Sequence, residues 1–160
     1  SSTSPSVGFS QSISNMAPGD VVNRYVTLTN NGTLDGINLS LQTTETGTAT
    51  LISDTGTAKA LVLTVKSCSV PWTQNTGSCT GTPTTEINGA ALGSYSVAKA
   101  FSSGNLNSLA VKYLQVSLQL PDQSETTVNG VPPTPTIQGG NVYITYTFNF
   151  VQRLASTTNS

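Results

Sequence analysis

The chain has 160 residues and a mass of 16.5 kDa, the size of one ordinary domain. Its 6 Lys and Arg and 7 Asp and Glu give a net charge of −1, so there is no basic footprint for nucleic acid or an anionic membrane. Histidine is absent, which excludes Ser-His-Asp and Cys-His catalysis and histidine-based zinc sites. No apolar run approaches the ~18 residues of a membrane span, and we therefore predict neither a nucleic-acid partner nor a membrane segment.

The first predicted element is a short strand near the amino terminus, because apolar and small residues alternate there. Val7, Phe9 and Ile13 fall on one face, and glycine and serine occupy the other. The segment NMAPGD at residues 15–20 has Pro-Gly at its centre and predicts a turn. This pattern separates an arm, residues 1–14, from a domain formed by residues 15–160.

Five further strands with one apolar face each are predicted at residues 22–28, 37–41, 61–65, 114–120 and 142–150. The Thr- and Gly-rich stretch at residues 43–57 predicts a loop or irregular edge, and Tyr95–Phe101 is the one segment that could form a short helix. Because each sheet must bury its apolar face against another, we predict an all-β, two-sheet antiparallel sandwich.

The two cysteines are Cys68 and Cys79, and their spacing does not suit a redox pair or a zinc site. We predict a local disulfide, with two buried free thiols as the alternative. A disulfide indicates an oxidising compartment, or the interior of a hyperthermophile. Since the chain begins at Ser1 without a charged and apolar leader, we expect a secreted, extracellular or cell-surface protein whose signal peptide has been removed.

No catalytic residue, metal or cofactor is predicted, because the carboxylates are scattered and nucleotide-binding and nucleophile motifs are absent. Asp20, Asp35 and Asp54 could supply oxygen ligands to calcium, but isolated loop acids are more often solvated charges. Asn31 and Asn38 begin Asn-x-Thr and Asn-x-Ser sequons and are candidate glycosylation sites. Chance sequons are expected in a chain with 26 Thr and 21 Ser.

The segment FSQSISNMAPGDVVNRYVTLTNNGTLDGINLSLQT, residues 9–43, joins an alternating strand, a Pro-Gly-Asp turn, a second strand, an Asn-Asn-Gly turn and a third strand. It resembles the opening of the TasA/camelysin family, and the ending VYITYTFNFVQR resembles the closing strand of that family. The two matching segments cover about a third of the chain. The resemblance implies a jelly-roll-like sandwich and relatives among bacterial biofilm-matrix fibres and archaeal bundling pili.

In those relatives the sandwich receives the N-terminal strand of its neighbour, which is donor-strand complementation. For this chain the resemblance implies a donor strand carrying Val7, Phe9 and Ile13, with other copies of the chain as partners. The filament would grow head to tail and could bundle laterally. Family members have a further extended segment before the first strand, whereas only Ser1–Ser6 precede it here. The donor is thus a shorter segment or the strand itself, and the alternative is that this strand belongs to its own sandwich.

Two rival functions belong to other classes of protein. A monomeric adhesin or carbohydrate-binding module would need an exposed aromatic platform, for which Trp72, Tyr95 and Tyr113 are the candidates. Trp72 is alternatively expected to pack against the disulfide. A secreted protease is the third hypothesis, since camelysins were classed as metalloproteases. The chain has no histidine and no HExxH motif, so no residue can be assigned a role in metalloprotease activity. We expect a structural protein rather than an enzyme.

Overall fold

The computed structural model describes residues 6–56, 58–123, 128–131, 137 and 139–153. Within these residues two short helical turns accompany the strands: α1 (Ala49–Ile52) and a 3-10 helix at Leu92–Ser96. The strands are β1 (Ser6–Ser14), β2 (Val21–Thr29), β3 (Gly36–Gly47), β4 (Val62–Cys68), β5 (Pro83–Ala91), β6 (Lys99–Ala100), β7 (Val111–Gln119) and β8 (Asn141–Gln152).

The strands form two four-stranded sheets. Sheet A has the order β1-β8-β3-β6 and sheet B has the order β2-β7-β4-β5, and every pairing is antiparallel. Only the β4–β5 connection stays within one sheet, and each of the others crosses to the opposite sheet. This is the arrangement of a jelly roll. The predicted two-sheet antiparallel sandwich is confirmed.

The core lies between the sheets and is built from alternate residues of each strand, because successive side chains point to opposite faces. The predicted inward faces of the longest strands are confirmed. β7 contributes Leu114, Val116 and Leu118, and β8 contributes Val142, Ile144, Tyr146, Phe148 and Phe150.

Two segments differ from the sequence prediction. The predicted helix at Tyr95–Phe101 is wrong: the 3-10 helix ends at Ser96, and Lys99–Ala100 forms β6 against β3. The predicted loop at residues 43–57 begins as strand, because the ladder between β3 and β8 continues to Gly47, and α1 follows it.

Strand β5 was not predicted, because its buried residues do not follow an apolar alternation: Ile87 joins the core, but the adjacent Glu86 is also buried. Glu86 lies in the middle of the strand and is only 3% exposed. Its carboxylate is bound by Lys112, with Nζ 3.0 Å from Oε1, and by the Ser67 hydroxyl at 2.6 Å. A buried ion pair therefore occupies a position where a periodicity argument looks for an aliphatic side chain.

Strand β1 forms the edge of sheet A and pairs with β8 from Ser6, opposite Asn149, to Ser14, opposite Asn141. In this structure of a single chain, β1 completes the sheet of its own sandwich. Residues 15–20 then carry the chain from the edge of sheet A to β2 at the edge of sheet B. We call this segment the β1–β2 turn.

The β1–β2 turn is held by a small number of bonds. The Gly19 amide donates to the Leu120 carbonyl at 2.7 Å, and the Ala17 amide donates to the Asp20 carboxylate at 2.8 Å. The Asp20 amide also donates to the Ala17 carbonyl at 2.9 Å, and the Asp20 carbonyl accepts from the Leu120 amide at 3.0 Å. Asn15 has a φ of 55°, a left-handed conformation that asparagine adopts more readily than most residues.

Candidate strand-binding groove

The two sheet edges formed by β1 and β2 do not meet, and a groove of about 610 Å³ lies between them. Its walls include Val7, Gly8 and Phe9 of β1, residues 23–28 of β2 and Phe148 of β8. On the opposite side of the sandwich the edges approach closely, since the Ser102 amide next to β6 donates to the carbonyl of Glu86 in β5 at 2.9 Å. The sandwich is thus closed on one side and open along β1. We use the name strand-binding groove for the whole space between β8 and β2, which β1 fills in part beside β8 and which is otherwise open.

The three residues proposed for a donor strand lie on the inward face of β1. Ile13 is 5% exposed, Phe9 is half-buried and Val7 is 54% exposed at the mouth of the groove. The Phe9 ring stacks on the ring of Tyr146, with centroids 4.5 Å apart and an interplanar angle of 17°. The guanidinium of Arg24, from β2, lies 5.8 Å from the Phe9 centroid. Phe9 therefore contacts groups from both sheets, and a cation–π contact spans the groove.

Gln11 lies on the same inward face and was missed as a functional residue. It is 8% exposed, and its side-chain oxygen accepts a hydrogen bond of 2.9 Å from the buried hydroxyl of Tyr146. Burial raises the pKa of Tyr146, although the positive charge of Arg24 acts in the opposite direction. The phenol thus stays protonated and donates at physiological pH. The period-two alternation of Val7, Phe9 and Ile13 was itself the signal, since it places Gln11 in the same row.

Gly8 is the point of closest approach between the two strands. A Cβ atom built at this position would collide with the carbonyl oxygen of Tyr146. Glycine is required here because the backbones are too close for a side chain. Tyr146 therefore contacts β1 through its backbone, its ring and its hydroxyl.

The predicted disulfide between Cys68 and Cys79 is confirmed, with the Cα atoms 5.8 Å apart. Trp72 lies within the loop that this bond closes. Its indole nitrogen donates to the Tyr113 carbonyl at 3.1 Å, and its ring packs against Tyr25 at 6.2 Å. These two contacts join Trp72 to sheet B, and packing of its ring against the disulfide stays a prediction.

The aromatic residues considered for a carbohydrate platform are not presented together. Tyr95 is completely buried, and its hydroxyl donates to the Leu63 carbonyl at 2.6 Å. Trp72 and Tyr113 are half-buried. Since Tyr95 is inaccessible, the predicted three-residue platform does not form.

The two sequon asparagines lie at exposed positions. Asn31 is in the β2–β3 loop, and Asn38 is in β3 at a register shift between Ile37 and Ser40, with a φ of 58°. Both side chains are open to solvent, and glycosylation at either one stays a prediction.

The three aspartates considered for calcium lie in separate loops and serve local backbone groups. Asp20 accepts from the Ala17 amide, Asp35 from the Ser108 amide and Asp54 from the Ala60 amide, each at 2.8 Å. Asp20 and Asp54 therefore cap their own turns, Asp35 joins two loops, and the three are not brought together.

The fold and the groove can now be set beside known proteins. The model of the family described as camelysin metallo-endopeptidase matches residues 5–156, a range that includes β1, β8 and both sheets. The chain belongs to the camelysin family. The resemblance predicted from residues 9–43 and from the closing strand is thereby confirmed. No curated protein matches this camelysin.

The name of the family implies a metal-dependent peptidase, and the donor groups of this camelysin do not fit such a centre. The sequence contains no histidine, and Cys68 and Cys79 are joined in a disulfide. In the described part of the chain, no group of three or more Cys, Asp or Glu residues could hold a metal ion. Glu86, the most deeply buried of the described carboxylates, is engaged by Lys112 and serine hydroxyls. No peptidase step can be assigned to these residues.

Helices in the described part of this camelysin are short, and none has the length and apolar character required to cross a membrane.

Proposed function

We propose that this camelysin is a secreted structural subunit of an extracellular filament, of the biofilm-matrix fibre or pilus type, and not an enzyme. In the filament, β1 of one copy occupies the position beside β8 of the next copy. The observation that carries the proposal is the placement of β1. It is an edge strand joined to the body by one short turn, yet it supplies Phe9, Gln11 and Ile13 to the inward face of sheet A.

Transfer of β1 to a neighbour leaves its contacts unchanged in kind. The ladder with β8, the stacking of Phe9 on Tyr146 and the Gln11 hydrogen bond form equally within one chain or between two. What changes is the β1–β2 turn, which must open and release the hydrogen bond from the Gly19 amide to the Leu120 carbonyl. Exchange of an identical element between copies is a low-cost route to assembly.

Donation by each copy to the next is a heterologous contact, in which donor and acceptor surfaces differ. Such contacts do not close on themselves when each subunit gives to one neighbour and receives from another, so they produce open filaments. The low charge of the chain, with 13 charged side chains in 160 residues, leaves little repulsion between copies. These features support a homopolymer.

A pair of cysteines across β1 and β8 is expected to report which chain supplies the strand. Ser10 and Thr145 are directly opposite in the ladder, within disulfide distance for paired strands. If β1 is donated, oxidation of assembled Ser10→Cys/Thr145→Cys protein will produce a ladder of covalent multimers. If β1 stays in its own chain, the same pair will produce only cross-linked monomers. Non-reducing electrophoresis of pelleted filaments separates the two outcomes.

The matched control uses Thr64 and Ser117, which are directly opposite in β4 and β7 of sheet B. Thr64→Cys/Ser117→Cys should give cross-linked monomers in either case, because neither strand is exchanged. Filaments whose Ser10→Cys/Thr145→Cys subunits migrate as monomers would contradict strand donation. A ladder from the control pair would show thiol scrambling instead.

The outer face of sheet A is a candidate surface for lateral bundling. Strands β1, β8 and β3 present uncharged residues in aligned rows, since β8 pairs with β1 on one side and β3 on the other. The rows are Gly8–Thr147–Gln42, Ser10–Thr145–Thr44 and Ser12–Tyr143–Thr46. A face without charged side chains offers little electrostatic repulsion to a second copy. We therefore propose that copies in adjacent filaments meet at this face.

Added charge on this face should separate bundles into single filaments. Thr44 and Thr46 are both exposed on the outer face of β3, so Thr44→Lys/Thr46→Lys places two positive charges where copies would meet. Asn75→Lys/Thr80→Lys adds the same charge at exposed positions beside the disulfide loop and should leave bundles intact. Electron micrographs at low salt measure the effect, and high salt should restore bundling by screening. Equal bundling of both variants would contradict the proposal.

A further inference from the structure

We infer that Tyr146 sets the register of the strand bound beside β8 and selects which strand is accepted. The partner in this inference, the β1 strand of a second copy, rests on the proposed function. The register itself is a property of the groove, whichever chain supplies the strand. Tyr146 is fully buried at the centre of β8 and contacts β1 in three ways.

The outward face of β1 contributes little to register. Its residues are all small, namely Gly8, Ser10, Ser12 and Ser14. A slip by two residues would keep the same kind of residue on each face, and strands of this composition are prone to such slippage. A subunit that grows a filament by binding one strand therefore needs another source of register.

Two polar groups of Tyr146, its hydroxyl and its backbone carbonyl, determine the register of β1. In the observed register, the Tyr146 hydroxyl meets the Gln11 side-chain oxygen at 2.9 Å, and the Tyr146 carbonyl faces Gly8. The Phe9 ring, between them in the row, stacks on the Tyr146 ring. Each contact suits one type of residue: an acceptor for the hydroxyl, no side chain at the carbonyl and an aromatic for the ring.

A slip in either direction breaks these contacts. If Gln11 moves opposite Tyr146, Ile13 takes the place beside the hydroxyl and the Cβ of Ser10 collides with the carbonyl oxygen. If Val7 moves opposite Tyr146, Phe9 replaces Gln11 beside the hydroxyl. The Gln11 amide then lies opposite Val142, which is 2% exposed. In both slips a buried polar group has no hydrogen-bond partner. This costs more free energy than replacing both partners by apolar groups.

The groove thus recognises a strand of the pattern glycine, aromatic, any residue, amide, any residue, aliphatic. Residues 8–13 of this chain, GFSQSI, have this pattern. The occupant that these contacts specify is a β1 strand of this sequence, which under the proposed function comes from a second copy of the chain. A strand without the glycine or the amide would be bound weakly or in mixed registers.

Cysteine pairs placed for the shifted registers test the inference in the full-length chain. Ser12→Cys/Thr145→Cys reports one slip and Ser10→Cys/Tyr143→Cys the other, while Ser10→Cys/Thr145→Cys reports the observed register. Adding Gln11→Leu or Tyr146→Phe should raise the shifted cross-links about tenfold relative to the observed one. Val7→Ala weakens the same strand but keeps the hydrogen bond between Gln11 and Tyr146. It should lower the guanidinium midpoint of unfolding without raising the shifted cross-links.

The double variant Gln11→Leu/Tyr146→Phe separates register from stability. With both polar groups removed, the guanidinium midpoint should recover toward that of the parent, while the shifted cross-links should remain raised. Shifted cross-links at the parent level in both single variants would overturn the role of Tyr146. If all cross-links form within monomers, strand donation is contradicted. The inference about register is still tested, because the ratio of shifted to observed cross-links reports the register within one chain.

Discussion

Removal of residues 1–13 is expected to abolish filaments. The truncated chain lacks the segment that would join one subunit to the next, and it lacks the buried Ile13 and the half-buried Phe9, whose burial contributes roughly 3–5 kcal/mol. The rest of the core, built on β7 and β8, is retained. We expect a soluble sandwich of lower stability that does not pellet on ultracentrifugation and shows no fibres in electron micrographs.

Two full-length variants distinguish the loss of the inward face from the loss of chain length. Val7→Ser/Phe9→Ser/Ile13→Ser keeps the length of β1 and should also fail to polymerise. Ser10→Thr/Ser12→Thr changes only outward residues and should form normal filaments, since threonine suits a pleated surface. A synthetic peptide of residues 6–14 should raise the stability of the truncated chain by filling the groove. Filaments of normal length from the truncated chain would refute assembly through β1.

The second large effect is expected at the ion pair inside sheet B. Lys112→Met leaves the Glu86 carboxylate, whose side chain is completely buried, without its counter-charge. Breaking a buried pair by removing one partner costs about 3–5 kcal/mol. Chemical denaturation should show this loss as a lower midpoint. Glu86→Leu/Lys112→Met, which removes both charges, should recover most of it.

The matched control is the exposed pair of Lys59 and Asp54. Their charged atoms are 4.0 Å apart, and both side chains are about half exposed. Lys59→Met should therefore change stability by less than about 1 kcal/mol. Similar losses from Lys112→Met and Lys59→Met would show that burial of Glu86 does not determine the effect.

The same pair predicts how stability depends on pH. Burial acts to raise the pKa of Glu86, but hydrogen bonds from Ser103, Ser67 and Lys112 outweigh it, so the pKa lies below its ordinary value of 4.5. A lowered pKa in the folded state stabilises the protein above the unfolded-state pKa, and this contribution is lost as pH falls through the folded-state value. Removing Lys112 raises the folded-state pKa. Since this narrows the gap between the folded- and unfolded-state pKa values, the free energy of unfolding of Lys112→Met should fall less between neutral and acid pH than that of the parent.

The strands that could be predicted from the sequence are those whose burial follows hydrophobic alternation. In β8, Val142, Ile144, Tyr146, Phe148 and Phe150 repeat every second residue, and each is buried. The Pro-Gly-Asp and Asn-Asn-Gly segments marked turns because of their backbone preferences. These local signals sufficed for a two-sheet sandwich.

The elements that could not be predicted depend on partners distant in sequence. β5 pairs with β4 and buries Glu86, whose partner Lys112 is 26 residues away, and no local pattern reveals that partner. β6 has two residues. It pairs with β3, and the Phe101 amide that follows it donates a hydrogen bond to the Leu39 carbonyl of β3. Short elements of this kind take their structure from the sheet they join.

The candidate site was predicted in part. Val7, Phe9 and Ile13 were identified because they are apolar and alternate. Gln11 was overlooked because a polar residue in an apolar row is recognised only when its partner, the Tyr146 hydroxyl, is placed beside it. The open groove between β1 and β2 likewise depends on the order of strands in the two sheets, which composition and periodicity do not determine.

The shortness of the β1–β2 turn limits how far apart consecutive subunits can lie. If β1 and β2 keep their bounds, Ser14 and Val21 are joined by seven backbone steps, which reach about 25 Å when extended. The twelve residues of β8 span about 40 Å. A donated β1 therefore holds the turn-bearing ends of donor and acceptor near one another, so that neighbouring bodies overlap along their flanks. The axial rise per subunit in such a fibre should be shorter than the long dimension of the sandwich.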